Sequence, residues 1–202
     1  DGWVDAPNVK VIGFTEHEGS YLVGMLAAEA SKTGTVGFIG GMDIPLIRKF
    51  ACGYAQGVKA VNPDATIISN MTGTTPAAWN DPVKGSELAK AQISQGVDVI
   101  YAAAGGTGIG VLQTAADENI LSIGVDSNQN YLFPGSMLSS MVKRVDVAVQ
   151  AAFTDEMNGA WTSGIQVLGL AEGGVGAAVD EHNEPLLSDE MKAALADYTA
   201  KI

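Results

Sequence analysis

Between residues 101 and 126 the stretch "YAAAGGTGIGVLQTAADENILSIGVD" sets a glycine-rich turn between an apolar run and a helical one, and ends on an aspartate. Glycines at a strand-to-helix turn let backbone N–H groups approach a polar ligand, as in the G-x-G-x-x-G turn that cradles a pyrophosphate. The spacing here fails that fingerprint. Counted from Gly106 the pattern gives Gly108 and then Val111, and counted from Gly108 it gives Gly110 and then Gln113. The third glycine lets helix and strand pack closely, so valine there argues against a bound dinucleotide. Gly105 and Gly106 stay open to two readings, backbone contacts to a ligand or a tight turn without one.

Asp126 carries more information. It follows a buried run, at the edge where parallel sheets bind ligands. An ionised carboxylate accepts two hydroxyl hydrogen bonds at once, which suits the vicinal diol of a ribose. The alternative is a cap for the turn "DSNQN". Trp79, in "TTPAAWNDPVKG", lies on a polar loop ahead of a helix, where it either stacks a planar ligand or anchors the loop. Lys143, after "LSSMV" and beside Arg144, either reaches a ligand oxygen or pairs with a surface acid.

Catalytic chemistry has no residues to carry it. The chain has no G-x-S-x-G elbow and no phosphate-binding G-x-x-x-x-G-K-[ST] loop, and neither His17 nor His182 sits in H-E-x-x-H. His17, between two glutamates in "FTEHEGS", reads as part of a solvated loop entering a helix rather than as a metal ligand. Cys52 is the one cysteine, which excludes an internal disulfide; its apolar helical surroundings read as core filling. No nucleophile–base pair is legible, and the expectation is no metal and no cofactor.

Composition bounds the size of the core and the partners. The 202 residues are 47% hydrophobic and 17% charged, enough for one large core or two small ones. Eleven Lys plus Arg against 23 Asp plus Glu give a net charge of -12, a surface that repels phosphate backbones and excludes nucleic acid as a partner. No apolar run is long enough for a membrane span, and the polar opening "DGWVDAPN" shows no leader.

The elements that must position these residues alternate in type. Strand-like runs fall at 9–14, 35–40, 65–70, 97–103, 120–125 and 136–142. Between them "EGSYLVGMLAAEASK", "PLIRKFACGYAQGVKAV", "DPVKGSELAKAQISQG" and "GIGVLQTAADEN" carry apolar residues at helical spacing. Asp81 and Pro82 open one helix and Gly96 closes it. Such alternation predicts a parallel sheet covered by helices on both faces. Residues 34–136 make one α/β lobe; residues 1–33 and 137–202 are each half a domain and predict a second, discontinuous and incomplete lobe. A helix at 144–158 and a glycine-rich strand pair in "GIQVLGLAEGGVGAAVD" complete it, with 172–185 as a hairpin followed by a polar turn.

Together, "EGSYLVGMLA", "GFIGGMDIPLIRKFACGY", "WNDPVKGSELA", "YAAAGGTGIGVLQ", "IGVDSNQ" and "SSMVKR" resemble the basic membrane protein family, the PnrA-like substrate-binding proteins of ABC transporters, over essentially the whole chain. The resemblance implies a type I periplasmic-binding fold, in which two doubly wound lobes close on a ligand. It implies a purine nucleoside or base of the adenosine, guanosine or inosine class, and an ABC permease as partner. It also implies a periplasmic or cell-envelope lipoprotein, held to a membrane only by a lipid anchor outside this chain. The family pattern puts the base-stacking aromatic on Trp79, the ribose-facing carboxylate on Asp126 and a ligand-facing lysine on Lys143. Glu16, from the "F-x-E-x-E-G-S-Y" motif that begins at Phe14, is a further ligand contact, with Gly105 and Gly106 as backbone contacts. Family members carry more residues upstream, so the chain reads as part of a longer protein with its N-terminal lobe incomplete. Two other classes share the α/β pattern: an NAD(P)- or nucleotide-sugar-dependent oxidoreductase, and the ligand-sensing domain of a transcription regulator.

Overall fold

The computed structural model describes residues 4–201; "DGW" of the polar opening and Ile202 lie outside the described residues. Among the described residues the strands fall into two sheets. The larger has the order β3 (Thr66–Gly73), β2 (Thr35–Met42), β4 (Val99–Ala103), β5 (Leu121–Asp126), β6 (Met137–Lys143) and β8 (Val175–Ala177). Its pairings are parallel except for β8, which runs antiparallel to β6. β1 (Lys10–Phe14) and β7 (Gly164–Leu168) pair in parallel as a separate two-stranded sheet.

Side chains alternate across the large sheet with the period of a pleated strand. On β4, Val99, Tyr101 and Ala103 join the core cluster of one face, while Ile100 and Ala102 join that of the other. The first face is covered by α1 (Glu16–Ala30) and α2 (Pro45–Val61), the second by α3 (Pro82–Ile93) and α4 (Thr107–Asp117). The helices begin where expected. Pro45 and Pro82 open α2 and α3 at positions that need no N–H donor, and the Asp81 side chain accepts from Lys84 N. Gly96, at φ +95°, follows the end of α3.

The lobe boundaries expected at residues 33 and 137 do not coincide with the sheet. α1 packs closely on α2, where a Cβ added to Gly53 or Gly57 would collide with the α1 backbone at His17 or Tyr21. β6 lies beside β5 as an interior strand. The C-terminal flank therefore adds strands to the large sheet and the N-terminal flank adds α1 to its cover, and only β1, β7 and the neighbouring α5 (Val145–Met157) stand apart from it. The expected hairpin is also absent, since β7 pairs with β1 and β8 with β6. The chain crosses between the sheets after β1, after β6 and after β7. These crossings are tied together: Thr15 N donates to Leu168 O at 3.1 Å, Arg144 N to Gly174 O at 2.8 Å, and Leu170 N to the Glu18 carboxylate at 2.8 Å. α6 (Asp189–Lys201) closes the described chain, with Met191 buried against the main core.

Candidate functional site

β2 leads through α2 to β3 on one side, and β3 then leads through α3 to β4 on the other side of β2. The strand order thus reverses between β2 and β4, and the carboxyl ends of those strands form the crevice where open α/β sheets bind ligands. The residues singled out by sequence line this edge in two groups.

Trp79, Gly105 and Gly106 meet at the reversal. Trp79 ends a single 3-10 turn (Pro76–Trp79) after β3, and its half-buried ring lies against the end of β2. A Cβ on Gly41 would sit 2.2 Å from Trp79 Cζ3, so only glycine lets the indole rest there. Gly105 takes φ +58°, a conformation that glycine adopts without penalty. Cβ atoms on Gly105 and Gly106 would each lie 3.2 Å from the Trp79 carbonyl oxygen. Thr107 at the start of α4 fastens the same loop, its hydroxyl donating to Ala78 O at 2.8 Å and accepting from Asp81 N at 2.7 Å. The glycine turn therefore makes room for the tryptophan loop as well as opening α4.

Asp126 and Lys143 meet at the ends of β5 and β6. Lys143 Nζ lies 2.9 Å from Asp126 Oδ1, and 5.8 Å from the ring centres of Phe14 and Phe50. Asp126 has φ +67°, one of two non-glycine residues in that region among those described. Aspartate tolerates it better than most side chains, and such outliers gather at functional sites.

Glu16 stands at the first position of α1, where the helix dipole favours its negative charge. It is 4% exposed, and its Oε2 has no hydrogen-bond partner within the chain. The nearest cation, Lys49 Nζ, is 3.8 Å away. Both carboxylates act on the buried phenol of Tyr101, whose oxygen is 3.3 Å from Ser20 Oγ. Burial pushes the Tyr101 phenol up from its ordinary range; the Asp126 and Glu16 charges add to that and the Ser20 hydroxyl opposes it.

The remaining candidates fall elsewhere. His17 is exposed on the first turn of α1. Cys52, expected in the core, is exposed on α2, whose inward face is made by Ile47, Phe50, Tyr54 and Val58. Reading by residue type missed Lys49, Phe50, Tyr101 and Ser20. Each sits inside an ordinary helical or strand pattern, and only the strand order brings it to this edge. The site holds hydrogen-bond acceptors, an ammonium and an aromatic face, but no nucleophile paired with a base.

Comparison with known proteins gives the same class. A family model described as ABC transporter substrate-binding protein, PnrA-like, matches residues 1–202. The chain is 36% identical over 218 residues to a CD4+ T-cell-stimulating antigen of Listeria monocytogenes, covering 98% of this chain and 58% of that protein. It is 33% identical over 210 residues to the ABC transporter nucleoside-binding protein BmpA of Lactococcus lactis, covering 95% and 57%. Its fold superposes with a TM-score of 0.85 on an ABC transporter solute-binding protein from Aeropyrum pernix, at 28% identity, covering 98% of this chain and 65% of that one. The chain thus spans less than two thirds of the length of each. By fold and by sequence, the chain belongs to the PnrA-like family of ABC transporter substrate-binding proteins.

Proposed function

We propose that the whole protein is the extracytoplasmic substrate-binding component of an ABC importer, and that it carries a purine nucleoside or free purine base to a membrane permease. The observation that carries this reading is the Asp126–Lys143 pair, set at the same sheet edge as the Trp79 ring. The ends of β2 and β4 are one to three strand spacings from the ends of β5 and β6, roughly 5–14 Å. A base stacked on Trp79 then places its ribose diol at Asp126, which accepts from both hydroxyls while Lys143 balances the charge. Glu16, buried with an unused acceptor, takes a further donor of the ligand. Backbone groups of Gly105 and Gly106 border the base.

The name of the Lactococcus relative supports nucleosides as the ligand class. The sheet of β1 and β7, with α5, is read as part of a second lobe that closes over the ligand. Its outer surface is apolar, with Phe153 and Ile165 both more than two-thirds exposed, which fits coverage by further chain in the whole protein. Lipid anchoring outside this chain fits an extracytoplasmic carrier, and no described helix is long and apolar enough to cross a membrane.

Calorimetric titration of the full-length protein with adenosine, guanosine, inosine and their free bases tests the reading. Saturable binding of at least one purine is expected. Binding of none of them, with a sugar or a dinucleotide bound instead, would contradict it.

A further inference from the structure

The conformation of Asp126 is maintained from a distance. At φ +67° an aspartate stores backbone strain that its surroundings must hold. The support is a continuous set of hydrogen bonds through the turn that follows. Val125 N donates to Gln129 Oε1 at 2.8 Å, and Gln129 N donates to Ser140 Oγ at 3.0 Å. That hydroxyl donates to Oδ1 of the fully buried Asn130 at 2.8 Å. The two amides of the turn, Asn128 Nδ2 and Asn130 Nδ2, then converge on a single oxygen, Asp180 Oδ2, at 2.5 Å and 3.0 Å.

Asp180 lies some fifty residues away in sequence, beyond β8, and is itself held. Its Oδ1 accepts from His182 N at 2.8 Å, and its own N–H donates to Asn183 Oδ1 at 2.8 Å. Asn183, fully buried, donates to Leu138 O and Ala178 O. A carboxylate oxygen has the lone pairs to receive both amides, whereas an apolar side chain would leave the buried Asn130 donor unpaired.

We propose that Asp180 is a positioning residue for the ligand site: by gathering Asn128 and Asn130 it holds the turn that aims the Asp126 carboxylate at the sugar. This rests on the proposed role of Asp126 as the ribose acceptor. A merely structural Asp180 would stabilise its own turn and affect all ligands alike. A positioning Asp180 acts only on what Asp126 reads.

The test is a double-mutant cycle on the full-length protein, with adenosine and adenine as probes and calorimetry as the readout. Loss of a single hydrogen-bonded support predicts that Asp180→Ala weakens adenosine by about 2- to 12-fold and leaves adenine within about twofold. In an Asp126→Ala background the same change should cause no further loss of adenosine. Asn128→Ala, at an exposed position, removes one of the two amides and should repeat the effect in milder form even where Asp180→Ala folds poorly. Equal losses for adenosine and adenine, no loss, or a loss that multiplies with that of Asp126→Ala would overturn the inference. Should Asp126→Ala itself leave adenosine binding intact, the ribose reading fails first, and this inference with it.

Discussion

Lys143 and Asp126 form an ion pair whose two sides are unequally exposed. The ammonium side chain is 20% exposed and set before two aromatic rings, while the carboxylate side chain is 57% exposed and free to meet a ligand. An ion pair this open to water contributes only about 0–1 kcal/mol to stability. Under the proposed function its value lies in holding an acceptor at the sheet edge. Lys143→Met should therefore change the ligand-free unfolding free energy by no more than about 1 kcal/mol, yet reduce nucleoside affinity measurably. Denaturant unfolding and calorimetry on the same variant check both halves. A large stability loss with unchanged affinity would mark the lysine as structural.

Trp79 is the proposed stacking surface. Trp79→Ala should weaken purine binding by roughly 1–3 kcal/mol, the range for base–aromatic stacking, or about 5- to 150-fold in Kd. Trp79→Phe keeps a π-face and should retain most of the affinity. If the alanine variant binds as tightly as the native protein, the base lies elsewhere.

Gly41 leaves the space in which that ring rests. A methyl group there would overlap the indole, so Gly41→Ala must swing Trp79 away or shift its loop. The expected result is a weakening comparable to that of Trp79→Ala, and little further loss when the two changes are combined. Fully additive losses in calorimetry would separate the glycine from the tryptophan.

Much of the architecture can be read along the chain because it rests on local physics. Apolar residues at helical spacing and a leading proline mark α2 from Pro45 to Val61, and the Asp81 cap with Pro82 marks the start of α3. Pairing across long separations is another matter. Nothing in "GIQVL" indicates that it joins Lys10–Phe14 rather than the glycine-rich run ten residues later. The same limit explains the displaced boundary at 137, because "SMLSSMV" looks alike at an edge and in the interior of a sheet. Asp126 and Trp79 stood out because they occur where loops follow strands. Lys49, Tyr101 and Asp180 did not, since each looks like routine helix, core or turn until the strands are ordered.

Two phenols report on the core beneath the site. Tyr54 and Tyr101 are fully buried with ring centres 5.3 Å apart, and burial pushes both well above the ordinary phenol range. A folded-state pKa raised above the unfolded value of about 10 means stability is complete below that pH and falls as pH rises past it. Ultraviolet titration should show these two phenols resisting ionisation until the protein unfolds. Smooth ionisation of all five tyrosines around their ordinary value, with native circular dichroism retained, would contradict the burial.

If Asp126 reads the sugar of a purine nucleoside, three related ligands separate its contribution from that of the base. Adenosine, 2′-deoxyadenosine and adenine are titrated into full-length native protein and Asp126→Ala. Hydrogen bonds to a charged acceptor contribute roughly 1.5–3 kcal/mol each, so the variant should lose adenosine affinity by at least about tenfold. The deoxynucleoside should start weaker and lose less, and adenine should change little. Equal weakening of all three ligands, or of none, would show that Asp126 does not read the sugar.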